Sequence, residues 1–323
     1  MKIDNVLVIG GAGFVGRHIV SLLAARGLRV SVPTRRRDRA KHLILLPTVD
    51  VLECDVNAPG VLERLARGCD AVINLAGVLH SRPAGPQSDA GQRYGQDFFA
   101  THVELPQRVV AACRAAGVRR LLHMSALGAA REAPSEYLRS KSAGEAAVLA
   151  ADDLAVTVFR PSVVFGPEDR FLNLFAALAA LMPVLAVASP QARFQPVYVG
   201  DVAQAFARSL TERDAAGACY ELGGPHEYSL RELVEYVCVV SGRRRLVVGL
   251  GGALSLLQAW TLEHLPGQLM TRDNLRSMQV PSVTASNLPF GIVATPLESV
   301  APNYLAHAQP RERYDEFRHR AKR

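Results

Sequence analysis

Cysteine is scarce and scattered. Cys54, Cys69, Cys113, Cys219 and Cys238 are the five in 323 residues, with no C-x-x-C pair and no histidine at metal-ligand spacing. That pattern excludes a disulfide framework and a zinc module, and it predicts reduced thiols in a cytoplasmic setting. Aromatics are sparse too, 6% of the chain with a single tryptophan, and no basic stripe is studded with them. Helix-turn-helix and zinc-finger patterns are missing. The net charge is +7, but the basic residues fall in three separate places, Thr34–Lys41, Gly242–Leu246 and the tail Arg318–Arg323. No nucleic-acid partner and no metal are therefore expected. The opening MKIDNVLVIGG turns strand-like too soon for a signal or transit peptide. Internal repeats and low-complexity linkers are also missing.

Long apolar runs are few. Phe171–Ala188 has the length of a membrane span, but Asn173 and Pro183 interrupt it, so a buried helix leading into a strand is predicted. Leu246–Met270 carries Gly249, Gly251 and Gly252 and then a helix with Leu254, Leu257, Trp260 and Leu265. Packing into the core is the expectation for that helix. The alternative is peripheral membrane contact, with Trp260 at the lipid interface.

What is present is a hydrophobic fraction of 49%, enough for a sizeable core, in a regular alternation of strands and helices. NVLVIGGAGFVGRHIVSLLAARG reads as strand, glycine turn and helix. RVSVPTR, VDVLECDV, DAVINLAG, the strand ending near Ser125, and AVTVFRPSVVFGP follow as strands two to six. The alternation predicts an α/β fold, a doubly wound parallel Rossmann sheet with a smaller C-terminal substrate lobe. Residues 1–165 would bind NAD(P), joined by a returning strand and helix at about 194–222 in which Asp201 caps the helix. Residues 166–323 would form the smaller lobe. Ligands of such sheets bind at the carboxyl ends of the strands.

Gly10, Gly13 and Gly16 form G-x-x-G-x-x-G between the first strand and its helix. Glycines at this spacing permit a tight turn, close approach of backbone to a pyrophosphate, and close packing of helix on strand. The helix N-terminus, Phe14 and Val15, then presents unpaired N–H groups to the phosphates. At the end of the second strand, where an acid would bind a ribose 2′-OH, the chain has Arg35, Arg36 and Arg37. Arginine pairs with a 2′-phosphate, which favours NADP(H) over NAD(H); the alternative is a solvated arginine cluster.

SEYLRSKSAGE places Tyr137 four residues before Lys141 on one helix face. An ammonium that near favours phenolate, which predicts a Tyr137 pKa below its free value of about 10. On spacing alone, a half-buried tyrosine beside a solvated lysine is the competing reading. With the glycine loop, Asp55–Val56, NLAG, Ser125 and Y-x-x-x-K in order, the sequence resembles the short-chain dehydrogenase/reductase superfamily in its extended form. The resemblance implies that Asp55 and Val56 flank the adenine and that Leu75, Ala76 and Gly77 line the ribose side. It implies that Ser125, Tyr137 and Lys141 are the catalytic set, with Tyr137 and Lys141 also touching the cofactor. RPSVVFGP, including Pro161 and Val163, resembles the segment whose backbone meets the nicotinamide. VVFGPEDRFLNLFA, FQPVYVGDVAQA and LMTRDNLRSMQV resemble an atypical branch containing the NADPH-binding accessory subunit of respiratory complex I and its bacterial relatives.

In such a set the serine would hold a substrate oxygen, the tyrosine would exchange its proton, and the lysine would lower the tyrosine pKa and bond the nicotinamide ribose. One departure stands in the helix before the fifth strand, where many members place asparagine and this chain has His102. A partly exposed histidine is expected there, which puts the usual proton relay in question. Two functions follow. The first is an NADP(H)-dependent oxidoreductase, or an epimerase/dehydratase-like enzyme acting on a carbonyl, carbinol or nucleotide sugar. The second is a cofactor-binding structural or assembly protein with respiratory-complex contact, at the inner face of a membrane. Self-association is compatible with either.

Overall fold

The computed structural model describes residues 2–82, 94–265 and 268–306. Hydrophobic strands alternate with helices as the periodicity predicts: β1 Asn5–Ile9, α1 Phe14–Ala25, β2 Arg29–Thr34, β3 Val49–Glu53, α2 Val61–Ala66 and β4 Ala71–Asn74. Then come α3 Gln96–Phe98, a π-helical turn Phe99–Glu104, α4 Leu105–Ala116, β5 Arg120–Met124, α5 Glu136–Leu149 and β6 Ala155–Pro161. Neighbouring strands pair in parallel in the order β3-β2-β1-β4-β5-β6, with β11 (Cys219–Leu222) added beside β6. This is the Rossmann order, and its direction of winding reverses between β1 and β4.

The central strands β1, β4, β5 and β6 are buried on both faces, which is why they read as continuous apolar runs, whereas β3 and β11 at the sheet edges are partly exposed. Val6 and Val8 face Ile19, Val20 and Leu23 of α1 and Phe206 of α7 (Val199–Ser209). Leu7 and Ile9 face the opposite way, onto Leu62, Val109 and Cys113. Gly117 stops α4 in the left-handed conformation at φ 74°, a geometry that favours glycine.

The predicted sixth strand is divided. β6 ends at Pro161, and β7 (Val164–Phe165) leaves the sheet to pair with β10 (Val197–Tyr198). The predicted returning strand is therefore outside the main sheet, while α7 packs on α1 and β11 supplies the seventh strand. Asp201 does not cap α7. It is buried in the first turn, where its carboxylate accepts from the Thr295 N–H at 2.7 Å and hydroxyl at 2.9 Å. Burial of two polar partners together outweighs a local cap.

The C-terminal lobe is built on α6 (Phe171–Leu181) and α8 (Leu230–Val240), with β8 (Val184–Val187) paired in parallel with β13 (Leu246–Gly249). β9 (Arg193–Phe194) pairs antiparallel with β12 (Tyr228–Ser229). Helices α9 (Gly252–His264), α10 (Arg272–Ser277), α11 (Leu297–Val300) and α12 (Pro302–Leu305) complete it. The run Phe171–Ala188 is a helix and a strand, as predicted. Core packing of α9 is overturned: only Ser255 and Ala259 of that helix are buried, and Trp260 is 50% exposed. No helix among the described residues is long and apolar enough to cross a membrane. The five cysteines are free thiols, and the basic tail Arg318–Arg323 lies outside the described residues.

Candidate active site

The crevice opens where the winding reverses, at the ends of β1 and β4. Gly10 turns the chain with φ +82°, and a Cβ on it would lie 3.0 Å from the Leu75 carbonyl carbon. A Cβ on Gly16 would overlap the Gly10 carbonyl oxygen, so α1 reaches the turn only with glycine there. Gly13 is exposed and precedes α1, which has no side-chain cap and no acid in its first turn. The first N–H groups of α1, at Phe14, Val15 and Gly16, therefore suit an anion. Leu75 is buried, Ala76 half-buried and Gly77 exposed on the other side of the crevice.

Arg35 and Arg36 are exposed directly after β2, and among the described residues neither pairs with a carboxylate. Asp55 lies two residues beyond β3, and its carboxylate accepts the Asn57 N–H at 2.9 Å. Val56 is half-buried beside it, its carbonyl accepting from Arg108 at 3.2 Å. Pro161 is buried at the end of β6 and Val163 half-buried just past it. These residues all lie at the carboxyl edge of the sheet, and the glycine cradle fits a dinucleotide.

Ser135 caps α5 by accepting the Leu138 N–H at 3.2 Å, so Tyr137 stands in the first turn and Lys141 one turn deeper. Lys141 is buried, and its ammonium donates to the Met124 carbonyl at 3.1 Å. Its Nζ is 3.3 Å from where a side chain on Gly77 would begin, so it faces the crevice. No carboxylate among the described residues pairs with it. Ser125 follows Met124 directly; its hydroxyl is buried and has no hydrogen-bond partner among the described residues. An unpaired buried hydroxyl costs about 1–3 kcal/mol, a cost relieved by a ligand oxygen.

Residues 6–223 match the NAD dependent epimerase/dehydratase family. The chain belongs to that family. Over 311 residues it is 30% identical to the mitochondrial NADH dehydrogenase (ubiquinone) 1 alpha subcomplex subunit 9 of Mus musculus, covering 90% of this chain and 77% of the relative. A relative from Caulobacter vibrioides, a ceramide reductase, is 39% identical over 199 residues, 61% of this chain and 58% of its own length. Among solved structures, MoeE5 in complex with UDP-glucuronic acid and NAD superposes with TM-score 0.69 at 20% identity, over 96% of this chain and 100% of that one. UDP-glucuronic acid 4-epimerase from Bacillus cereus gives 0.66 at 18%, over 94% and 100%. These likenesses show the fold.

Two features of this epimerase/dehydratase family chain correct the sequence reading. His102 is not partly exposed; it is buried. The π-helical turn carries it inward, where Nε2 accepts the Val78 N–H at 3.0 Å. Its proton is then on Nδ1, which donates to Ser140 Oγ at 2.9 Å, and Ser140 donates to the Tyr137 carbonyl at 2.8 Å. A Cβ on Gly144 would overlap the His102 carbonyl oxygen, so glycine is needed for this approach of α5 to the turn. Burial, then the charge of Lys141, holds His102 neutral. Both ring nitrogens are committed to tying the loop after β4 to α5.

The second correction concerns Tyr137. Its pKa is not depressed: burial pushes the phenol up to about 12, although part of the residue still meets water. Burial lowers Lys141 to about 8 instead. Desolvation, and not the neighbouring charge, sets the direction of both shifts. Sequence reading missed Ser140 and Asp273, which accepts the Glu136 and Tyr137 N–H groups. Ser140 lies inside the quoted motif but without a spacing cue, and Asp273 is too distant in sequence for any local signal.

These shifts set a pH response. The folded protein holds the Lys141 proton less tightly than the unfolded chain, in which lysine titrates near 10.5. From about pH 8 to 10.5 the unfolded chain binds more protons, so stability rises across that window. Tyr137 acts oppositely from pH 10.0 to about 12, where the folded state holds the extra proton. Calorimetric midpoints of wild type should gain on those of Lys141→Met as pH rises from about 8 to 10.5, a comparison that cancels the five thiols, whose raised pKa values act oppositely in both proteins. An unchanged slope in the variant contradicts the assignment.

Proposed function

We propose that the protein is an NADP(H)-dependent oxidoreductase acting on a carbonyl or carbinol of a lipid at a membrane surface. The observation that carries the chemistry is the buried, unpartnered Ser125 hydroxyl beside the carbonyl that holds the buried Lys141 ammonium. Such uncompensated buried groups in a crevice are expected where a ligand completes the bonding. Residues 1–165, with α7 and β11 from the returning stretch of about 194–222, would hold the cofactor, and residues 166–323 the substrate. Gly10, Gly13, Gly16, Phe14 and Val15 would bind the pyrophosphate, Arg35 and Arg36 the 2′-phosphate, and Asp55 and Val56 the adenine. Leu75, Ala76, Gly77, Pro161 and Val163 would line the ribose and nicotinamide. The cofactor supplies or accepts hydride. Ser125 would hold the substrate oxygen and Tyr137 exchange its proton, with Lys141 stabilising the phenolate and bonding the ribose.

The lipid class rests on the uncovered face of α9. Leu254, Leu256, Leu257 and Trp260 are exposed there, and Gln258 ties the helix to the Ala186 carbonyl of β8 at 2.9 Å. On the adjoining strands Val184, Leu246 and Val248 are exposed as well, and Arg243–Arg245 lead into β13. An apolar face beside arginines suits an anionic bilayer. The ceramide reductase relative acts on a lipid by its name, which supports the same class. The second reading, a cofactor-binding structural subunit, is supported by the likeness to the mitochondrial NADH dehydrogenase subunit. Mass spectrometry of natively purified protein should find NADP(H) with a co-purifying lipid; a stable partner chain and no lipid would favour the second reading.

Membrane contact has its own test. Flotation with anionic liposomes should recover the protein at low salt and release part of it at high salt, and Trp260→Ser should shrink the salt-resistant fraction. A protein that does not float at any salt concentration contradicts the membrane reading.

A further inference from the structure

We infer that Asp273, on the C-terminal lobe, is the positioning residue that sets Tyr137, and that α10 is the clamp through which that lobe fixes the walls of the crevice. The inference rests on the reading of Tyr137 as the proton-exchanging group. Asp273 Oδ1 accepts the Glu136 N–H at 2.8 Å and Oδ2 the Tyr137 N–H at 3.0 Å. A helix ordinarily finds its cap in the residue before it, and Ser135 does serve Leu138. The other two first-turn donors of α5 are satisfied by one carboxylate lying 137 and 136 residues away along the chain. Its negative charge also meets the positive end of a 14-residue helix.

Asp273 is itself aimed by its surroundings. Thr271 and Asn274 close a capping box at the start of α10, and Ser277 Oγ donates to the Asp273 carbonyl at 3.2 Å. The same short helix grips the loop after β4: Asn274 Nδ2 donates to the Leu79 carbonyl at 3.4 Å, and Asn274 Oδ1 accepts from His80 Nε2 at 3.2 Å. That loop carries Gly77, against which Lys141 stands. One element therefore ties together the loop on one side of the Lys141 ammonium and the helix start that bears the phenol. Lys141 is anchored separately by Met124, one turn deeper. Losing Asp273 would let the first turn of α5 shift or fray while Lys141 stays, separating phenol from ammonium.

The test uses the full chain labelled with ¹³C at tyrosine Cζ and saturated with NADPH, with Tyr137→Phe identifying the Tyr137 line among eight tyrosines. Asp273→Ala should displace and broaden that line, leave the NADPH Kd within about two-fold, and lower the thermal midpoint by only about 2–4 °C, the scale of one lost cap. Asp273→Asn, which keeps one acceptor, should move the line less and in the same direction. In cofactor-free wild type, the Glu136 and Tyr137 amides should exchange about 100-fold or more slowly, relative to intrinsic rates, than the uncapped Phe14 and Val15 amides. A Tyr137 line that superposes in Asp273→Ala and wild type overturns the inference, as do Glu136 and Tyr137 amides exchanging as fast as those of α1. If Asp273→Ala does not fold, the asparagine variant and the wild-type exchange rates decide the matter. None of these readouts uses a substrate. A Tyr137→Phe enzyme as active as wild type would overturn the proposed function while leaving the positioning result standing.

Discussion

Tyr137→Phe is expected to lower turnover by about 10²–10⁴-fold, the usual contribution of a positioned proton donor, while leaving NADPH affinity within a few-fold of wild type. The ring stays packed edge-on against the stacked pair Phe98 and His102, at centroid distances of 6.0 and 5.5 Å, because neither contact uses the hydroxyl. The α5 cap is made to the Tyr137 backbone N–H and is unaffected. Only the proton-exchanging oxygen is lost, so the defect should appear in kcat rather than in cofactor binding. A parallel fall in cofactor affinity would mean that the phenol serves binding instead. Equal turnover by variant and wild type would favour the structural-subunit reading.

Reversal of cofactor preference is the second large effect. NADPH binding to wild type should exceed NADH binding by roughly 10- to 150-fold, the equivalent of about 1.5–3 kcal/mol for a charge-assisted pair with the 2′-phosphate. Arg35 and Arg36 are exposed, so salt screening draws the effect toward the lower end of that range. Arg35→Asp with Arg36→Ala should erase or invert the preference, since a carboxylate repels the phosphate and accepts the free 2′-OH. Calorimetric titration of both cofactors into both proteins measures this. Tighter NADH binding by wild type would return the arginines to the solvated surface.

The cofactor half of the fold was legible because its signals are local. Gly10, Gly13 and Gly16 sit within one turn and one helix start, and apolar strand residues facing opposite ways, Val6 and Val8 against Leu7 and Ile9, belong to a sheet covered on both faces. What stayed hidden depends on distant partners. Two-residue strands such as β7 and β10 have no period to read, so their exit from the main sheet left no trace in the pattern. The apolar positions of α9 look like a core face, because periodicity reports a face and not what covers it. Asp201 resembled a cap until Thr295, 94 residues on, claimed its carboxylate. His102 was misplaced for a similar reason: a π-helical turn rotates it inward, and the glycine that permits the approach lies on another helix.

The pKa directions show the same limit. The spacing of Tyr137 and Lys141 was readable, but the sign of each shift is set by how completely the fold removes both from water. A bound nicotinamide and its ribose would change that balance around both groups.

Deuteride tracing tests the central claim most directly. The protein would be incubated with NADPH carrying deuterium at the nicotinamide C4 position and a total membrane lipid extract, followed by mass spectrometry of the lipids. The account predicts one deuterium on the carbinol carbon of a single lipid class with wild type, and none with Tyr137→Phe. Protein that binds NADPH yet labels no lipid in either form would contradict it.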